Sequence, residues 1–414
     1  MFHDALVPFA ERRKINMKNK ILARAKELQP ELLEIRRDLH RHPETGFDLT
    51  YTKEKVRQEL IAMGYDPKDC GKSGLVALVG GKQPGKTILL RADMDALPLQ
   101  EETDIDYRSE TPGKMHGCGH DMHTAMLLGA AKILKEFENE IQGTIKLMFQ
   151  PAEEIFQGSL DMIANGVLDN PKVDAAMMIH VIAGMPMPAG MYLIPSGGIS
   201  AASCEQYHIT VTGKGGHGST PHLAIDPITA AAQIHLALQE INSRELEPNT
   251  YGVFTTCKFQ AGNASNIIPN SAEMWGTIRT LDPEEKVGAQ IKTRMEEIAK
   301  GIGLAMRCTV DVEFYDYCPC MVIDKDFSTA VTDYMKELYG QAIMPIAPGS
   351  GGGSEDFAFI SHKVPTVSLF MSAGNSAEGY EHNIHNPKLK LDDSVLWTGS
   401  AAHAYTAMRW LSEH

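Results

Sequence analysis

Apolar residues recur along the chain with two different spacings. Four short continuous runs, "TILLRADMD", "TIKLMFQPAEE", "DAAMMIH" and "PTVSLF", have the length of strands that are buried on both faces. Helical spacing marks "ELLEIRRDLHRHPE", which Pro43 should end, and the stretch from Thr124 to Phe137. We expect the segment before Glu31 to be frayed. The alternation of strand and helix patterns predicts an α/β fold with parallel strands joined by right-handed crossovers.

The pattern changes at about Ser200. Alternating segments "EQYHITVTG", "TYGVFTTCKFQ", "SAEMWGTIRT" and "AMRCTVDVEFY" are interleaved with the helical segments "DPITAAAQIHLALQEI" and "PEEKVGAQIKTRMEEIAKGIG". This order of strand, helix, two strands, helix and strand predicts a ferredoxin-like (split βαβ) domain. The α/β style returns afterwards. We therefore predict an inserted domain over residues 200–316 within a discontinuous catalytic domain formed by residues 1–199 and 317–414.

The charge and composition narrow the choice of partner and location. A net charge of −14 over 414 residues argues against a nucleic-acid partner, because phosphates would meet a repulsive surface. No window approaches the 18 apolar residues of a membrane span, and the start "MFHDALVPFAERRK" lacks the apolar core of a signal peptide. We therefore expect no membrane partner and a cytoplasmic location. The seven cysteines predict reduced thiols rather than a disulfide framework.

Acidic residues and a histidine stand where the apolar runs end. Asp93 and Asp95, Glu153 and Glu154, and His180 occupy these positions. In open α/β sheets, ligands bind beyond the carboxyl ends of the strands. We therefore expect these five side chains to meet at one edge of the sheet.

The stretch "MHGCGHDMHTA", residues 115–125, concentrates side chains that bind metals. Cys118 and His120 are two positions apart, so in an extended loop they would point to the same side and could hold one or two ions. Of the two neighbouring glutamates, one could bind metal while the other moves protons. The chain contains neither a G-x-S-x-G elbow nor an H-E-x-x-H motif, which disfavours a serine hydrolase or a zincin.

Several further motifs appear together in one order. From about residue 30 these are "RHPETGF", "RADMDALP", "MHGCGHDMHTA", "FQPAEE", "GKGGHGSTPH", "NIIPNSAEMWGTIRT", "GSEDF" and "HNPK". Through these motifs and their order, the chain resembles the amidohydrolase branch of the M20 metallopeptidases. This branch includes aminoacylases, hippurate hydrolases and indoleacetyl-amino acid hydrolases. The resemblance implies a dinuclear-metal exopeptidase-like catalytic domain whose inserted lid commonly forms a dimer.

The resemblance also implies roles for particular residues. Glu153 would be the general base, and His217 would reach a neighbouring subunit's site to stabilise the developing oxyanion. Arg279, with Asn266 nearby, would bind a substrate carboxylate, and Asp95 would support the site. The ions would be Mn²⁺, or Zn²⁺ as the alternative, and their ligands would be Cys118, His120, Glu154, His180 and His385.

These assignments predict a metal-dependent amidohydrolase. It would cleave the amide bond of a small N-acyl amino acid into a carboxylic acid and a free amino acid, and it would act as a homodimer through the lid. Three alternatives stay open at this point: a dipeptidase or aminopeptidase of the same family, a non-catalytic metal-binding protein, and a thiol redox protein that uses Cys118 with Cys318 and Cys320 of "YCPC". The methionine-rich "HVIAGMPMPAG" leaves the acyl preference undecided.

Overall fold

The computed structural model describes residues 9–349 and 353–414, and these residues divide into two compact units. The first unit comprises the described residues up to Gly198 together with Ile323–Pro348 and Phe359–His414. The second unit comprises Ile199–Val322 and the described part of 349–358.

The described residues form both α-helices and β-strands. The helices are α1 Phe9–Arg41, α2 Thr50–Ala62, α3 His120–Glu136, α4 Gly158–Ala164, α5 Pro227–Glu240, α6 Lys286–Ala305, α7 Lys325–Tyr339, α8 Ala358–Ser361 and α9 Leu396–Glu413. The strands are β1 Lys68–Cys70, β2 Gly74–Gly80, β3 Thr87–Asp93, β4 Thr144–Gln150, β5 Ala175–Ile182, β6 Tyr192–Pro195, β7 Gly198–Ala201, β8 Cys204–Thr212, β9 Gly216–His217, β10 Gly252–Ala261, β11 Ile267–Ile268, β12 Ser271–Thr280, β13 Thr309–Cys318, β14 Met321–Ile323, β15 Ile343–Ile346 and β16 Thr366–Ser372.

An eight-stranded mixed sheet forms the centre of the first unit, in the order β1-β2-β4-β3-β5-β16-β6-β15. The four predicted apolar runs are its central strands β4, β3, β5 and β16, and they pair in parallel, which confirms the α/β prediction. Antiparallel pairing of β2 with β4 and of β6 with β16 makes the sheet mixed. All seven residues of β3 are buried, as expected for a strand covered on both faces.

Helices α1, α3 and α9 pack against one another, and α3 and α9 also contact β3. Helix α3 is buried around almost its whole circumference, including its first residues His120 and Asp121. A helix that is apolar on every side belongs in the interior of a domain. The helix that follows the "MHGCGHDMHTA" motif is therefore a rigid central element of the unit.

The first helix differs from its prediction. It begins at Phe9, well before Glu31, so the frayed segment expected there is helical from that residue onward. Ile21, Ala25 and Leu28 recur at helical spacing and are almost fully buried. Lysines and arginines between them hid this pattern in the sequence. The helix ends at Arg41, two residues before Pro43, as predicted.

The second unit contains a four-stranded antiparallel sheet in the order β10-β12-β8-β13. Along the chain its main elements follow as β8, α5, β10, β12, α6 and β13. The two helices pack on one face of this sheet and enclose a core of its own, formed by residues including Tyr207, Ile209, Ala230, Ile234, Met274, Ile291, Met295 and Val310.

The segment that begins at Gly353 belongs to the second unit, although the sequence pattern placed it in the catalytic domain. The amide N–H of Ala202 donates to the carbonyl of Gly353 (2.9 Å), and Ser354 Oγ donates to the carbonyl of Ala202 (2.8 Å). These bonds attach residues 353 and 354 to the segment that precedes β8. Within the described ranges, no helix is long and apolar enough to cross a bilayer.

Candidate metal centre

Side chains from the ends of two strands, β3 and β4, meet around the imidazole of His120, the first residue of α3. Its Nε2 lies 3.6 Å from Asp93 Oδ2, and its Nδ1 lies 3.6 Å from Asp95 Oδ1. Glu153 Oε2 and Glu154 Oε1 lie 4.0 and 3.8 Å from Nε2. Four of the five side chains expected at the carboxyl edge of the sheet therefore lie close together.

The loop that carries Cys118 and His120 is a tight turn and not the extended segment that was predicted. Gly119 between them has a left-handed backbone with φ of 81°. A Cβ at this position would also lie 2.3 Å from Val181 Cγ2, so both the conformation and the space require glycine. The turn, rather than strand alternation, directs both side chains into the same cluster.

Cys118 lies between two histidines that come from distant parts of the chain. Its Sγ is 3.5 Å from His180 Nε2 and 3.3 Å from His385 Nε2. His385 Nε2 is in turn 3.5 Å from Glu154 Oε2. The five residues proposed as ligands thus form two overlapping groups, Cys118–His120–His180 and Cys118–Glu154–His385, each with donor atoms within 4.8 Å of one another.

Buried donor atoms in this cluster lack protein partners. Both ring nitrogens of His120 and Oε1 of Glu154 have no hydrogen-bond partner among the described residues. Burial of an unpaired polar atom is costly, so such atoms indicate a group that the protein side chains do not supply. Nitrogen, thiolate and carboxylate donors together suit borderline divalent ions. The residues therefore fit a divalent metal.

His385 and His180 are each held by a hydrogen bond to a backbone carbonyl. His385 has a left-handed backbone with φ of 64°, and its N–H donates to the carbonyl of Gly117 (2.7 Å), which ties the carboxyl-terminal loop to the cysteine loop. A non-glycine residue in this conformation is uncommon. The Nδ1 of His180 donates to the carbonyl of Val181 (2.7 Å), which leaves the lone pair of Nε2 available to a metal ion.

Asp95 holds the turn that carries the two glutamates. Its Oδ1 accepts the backbone N–H of Glu153 (3.0 Å), and its Oδ2 accepts that of Glu154 (3.2 Å). Both glutamates are therefore oriented by a single carboxylate that also lies beside His120. This contact is consistent with the supporting role expected for Asp95.

The residues expected to bind substrate lie in the second unit. His217 pairs with Ile267 across β9 and β11, and the N–H of Gly218 donates to the carbonyl of Asn266 (2.9 Å), so His217 and Asn266 are neighbours and both are exposed. The N–H of Ser219 donates to His217 Nδ1 (3.1 Å), which places the ring proton on Nε2. Arg279 donates to Ser354 Oγ (2.7 Å).

The family model described as peptidase family M20/M25/M40 matches residues 89–409. The chain belongs to this family. It is 36% identical over 391 residues to thermostable carboxypeptidase 2 of Saccharolobus solfataricus, an alignment that covers 93% of this chain and 96% of that one. It is 34% identical over 385 residues to N-acetylcysteine deacetylase of Bacillus subtilis, with 92% and 97% covered.

A solved M20 structure has the same overall fold. It is the YxeP protein of Bacillus subtilis, described as a dinuclear metal binding peptidase of the M20 family. The two chains share 32% sequence identity, superpose with a TM-score of 0.76, and match over 94% of this chain and 99% of the other.

Burial and neighbouring charges raise the pKa of some groups in this cluster and lower the pKa of others. Burial, reinforced by Asp95 and Asp93 and opposed by His120, raises the pKa of Glu154 to about 7. Burial also raises the pKa of Cys118 well above its usual value and lowers that of His180 to about 3. For His120, burial lowers the pKa, but Asp93 and Cys118 outweigh it and the pKa is raised. The metal-free centre therefore holds protons that a cation must displace.

Metal uptake should consequently weaken as the pH falls. When the pH is below the Glu154 pKa of about 7, this side chain is protonated. Its proton must leave before the carboxylate can bind a cation. The raised pKa of His120 acts in the same direction. We expect the affinity of metal-stripped protein for Mn²⁺ to fall by about tenfold or more per pH unit below pH 7. Calorimetric titrations at pH 5.5, 6.5 and 7.5 measure this, and a constant affinity would contradict it.

One charged group behind the centre was not predicted from sequence. Asp121, next to His120, forms an ion pair with Arg36 (Nε to Oδ2, 2.9 Å) and accepts a hydrogen bond from His40 Nδ1 (2.7 Å), and all three side chains are buried. Arg36 and His40 are one helical turn apart on α1, and this spacing was the sequence signal that could have indicated a shared acidic partner. Their partner, however, lies about eighty positions away in the sequence.

The two cysteines of "YCPC" lie in the second unit. Cys318 and Cys320 are buried, and none of the seven cysteines, which all lie within the described ranges, forms a disulfide. Cys318 Sγ donates to the carbonyl of Glu355 (3.5 Å). Cys318 and Cys320 lie in the second unit, whereas Cys118 lies in the first.

Proposed function

We propose that the protein is a metal-dependent amidohydrolase that cleaves the amide bond of N-acyl amino acids, releasing a carboxylic acid and a free amino acid. The observation that carries this proposal is the meeting of five metal-binding side chains from distant segments beside the carboxylate of Glu153. The similarity to a protein named N-acetylcysteine deacetylase supports the same substrate class.

Two divalent ions are proposed, and the residues that would hold them are those of the groups Cys118–His120–His180 and Cys118–Glu154–His385. The expected ion is Mn²⁺, and Zn²⁺ is the alternative. When bound, such ions polarise the amide carbonyl and lower the pKa of water toward about 7.

Glu153 is the proposed general base. Its side chain is buried, and its Oε2 lies 4.0 Å from His120 Nε2, next to the metal-binding donors. From this position it would take the proton of the attacking water and return it to the departing amine. The bond from its backbone N–H to Asp95 keeps the carboxylate in place during both transfers.

The second unit is proposed to be a ferredoxin-like lid that also forms a homodimer. His217, whose proton lies on Nε2, would donate to the carbonyl oxygen as negative charge develops there. The guanidinium of Arg279, with Asn266, would bind the substrate carboxylate. The proposed location of the protein is the cytoplasm.

Replacement of His217 by alanine is expected to reduce turnover by roughly 100- to 1,000-fold, because one oxyanion donor is lost. Metal content and folding should be unchanged, since His217 is exposed. His222→Ala is the matched control, because this histidine is also exposed and follows on the same glycine-rich segment. Steady-state kinetics of both variants measure the effect. Unchanged turnover in His217→Ala, or an equal loss in His222→Ala, would remove His217 from the chemistry.

A second candidate function is carboxypeptidase activity, favoured by 36% identity to a protein of that name. Both reactions release an amino acid whose free carboxylate Arg279 could bind. They differ in the group on the acyl side, which is a peptide in one case and a simple acid in the other. A dipeptidase or aminopeptidase would instead need an acidic partner for a free amine.

A hydrolysis panel tests these functions directly. It compares N-acetyl, N-benzoyl and indoleacetyl amino acids with blocked peptides and free dipeptides, before and after chelation and again after Mn²⁺ or Zn²⁺ is restored. We expect N-acyl amino acids to be cleaved, with loss on chelation and recovery with metal. Cleavage of peptides alone would favour the peptidase function. Full turnover by metal-stripped protein would overturn the metal mechanism, and no hydrolysis at all would favour a metal-binding protein.

A further inference from the structure

His123 lies between two of the proposed metal ligands. It follows His120 on α3, and the two rings are stacked with centroids 5.3 Å apart and an interplanar angle of 29°. Its ring also meets the ring of His180 edge-on, with centroids 4.7 Å apart. The side chain is 2% exposed. His123 is therefore packed against one ligand from helix α3 and another from strand β5.

Both ring nitrogens of His123 are already used by the protein. Nε2 accepts the backbone N–H of Val181 (2.8 Å), and Nδ1 lies 2.6 Å from Asp93 Oδ1. A backbone amide can only donate, so Nε2 carries no proton and Nδ1 donates to Asp93. Asp93, His120 and His123 lie close enough to hold an ion, but these two bonds leave His123 with no lone pair for one.

Asp93 anchors this arrangement from the end of β3. Its second oxygen, Oδ2, accepts a hydrogen bond from Arg91 (2.7 Å), and its backbone carbonyl accepts one from Thr124 Oγ1 (2.9 Å). Arg91, Asp93 and Thr124 are all buried. The carboxylate is thus held by a buried cation and cannot turn away from His123 without losing a charged partner.

Val181 is hydrogen-bonded to both His123 and His180. Its N–H is bonded to His123, and its carbonyl accepts the Nδ1 proton of His180. The ring of His180 is therefore oriented by a residue that His123 holds in place. A chain of hydrogen bonds runs from Arg91 through Asp93 and His123 to Val181 and ends on His180.

We propose that His123 is a positioning residue that sets the placement of His180 relative to His120 and thereby the metal affinity of the group Cys118–His120–His180. The inference rests on the proposed metal centre. Partners of this kind, which orient ligands without binding the ion, typically change metal affinity by about 10- to 100-fold. The bond to Val181 is the decisive one, because it is the link that reaches the ligand strand.

Three variants test the proposal by calorimetric titration of metal-stripped protein with Mn²⁺ alone. His123→Phe keeps a ring but removes both hydrogen bonds, and we expect about 10- to 100-fold weaker binding of one ion. His123→Gln can place an amide oxygen near the Nε2 position and accept from Val181, so it should bind within about threefold of the wild type. His123→Asn reaches only Asp93 and should bind as weakly as His123→Phe.

Thr124→Val is the matched control. It removes a buried hydrogen bond to the same residue, Asp93, from the next position on α3, but it lies outside the chain of bonds that ends on His180. We expect it to lower the thermal stability of the metal-free protein while Mn²⁺ affinity stays within about threefold of the wild type.

The outcomes separate this inference from the proposed function. Unchanged affinity in His123→Phe, loss in His123→Gln equal to that in His123→Phe, or equal loss in Thr124→Val would overturn the positioning role while the wild type still binds two ions. If His123→Phe does not fold, the comparison of the glutamine and asparagine variants decides in the same way. A wild-type protein that binds no Mn²⁺ would instead contradict the proposed metal centre itself.

Discussion

Replacement of Glu153 by glutamine is expected to reduce kcat by roughly 100- to 10,000-fold while both metal ions are retained. The amide is the same size as the carboxylate but cannot accept the proton of the attacking water. The bond to Asp95 comes from the backbone N–H of Glu153, so the substitution leaves it intact. Steady-state kinetics together with the metal content of the purified variant measure both parts of this expectation.

Glu154→Gln is the control for this result, because the two glutamates are adjacent and are held by the same aspartate. Loss of the Glu154 carboxylate should lower metal content as well as turnover, since its Oε2 lies 3.5 Å from His385 Nε2. If Glu153→Gln loses metal and Glu154→Gln keeps it, the two roles are exchanged. If Glu153→Gln is fully active, neither glutamate is the base.

The second large effect is expected for His120→Ala, which should lose metal and reduce turnover by more than about 1,000-fold. His120 is fully buried, and its ring nitrogens lie 3.6 Å from the carboxylate oxygens of Asp93 and Asp95. Without the imidazole, one of the two metal groups loses a nitrogen donor. The metal content and the kcat of the purified variant measure the loss.

His116→Ala provides a demanding control. His116 stands two positions before Cys118 as His120 stands two after it, it is equally buried, and its ring nitrogens also lack hydrogen-bond partners among the described residues. It belongs, however, to neither of the groups that contain Cys118. We expect this variant to keep both ions. Metal loss in His116→Ala with retention in His120→Ala would show that the ligands are misassigned.

The central part of the fold could be predicted because its signals are local. A run such as "TILLRAD" is apolar throughout since β3 is covered on both faces, and the change to alternation near Ser200 is equally visible. The flanking strands were missed because pieces as short as β1, with three residues, carry little pattern. The start of α1 was missed because charged residues on its exposed face diluted the apolar spacing.

In the candidate site, too, the local features could be predicted from the sequence and the long-range contacts could not. The residue types and their order were sufficient to propose five ligands and a base. The contacts around them were not predictable, because they join distant segments, as do the hydrogen bond between Val181 and His123 and the ion pair between Arg36 and Asp121. The left-handed turn at Gly119 was also missed, since the sequence places Cys118 and His120 at a spacing that an extended loop would satisfy equally well.

The position of Cys118 in both ligand groups has a topological consequence. The sulfur of Cys118 lies where side chains from α3, β5, the turn after β4 and the loop before α9 meet. Cations held there would act as cross-links between residues as far apart as 118 and 385, closing a loop that contains most of the polypeptide. Assembly of the centre and compaction of the chain would then be parts of a single equilibrium.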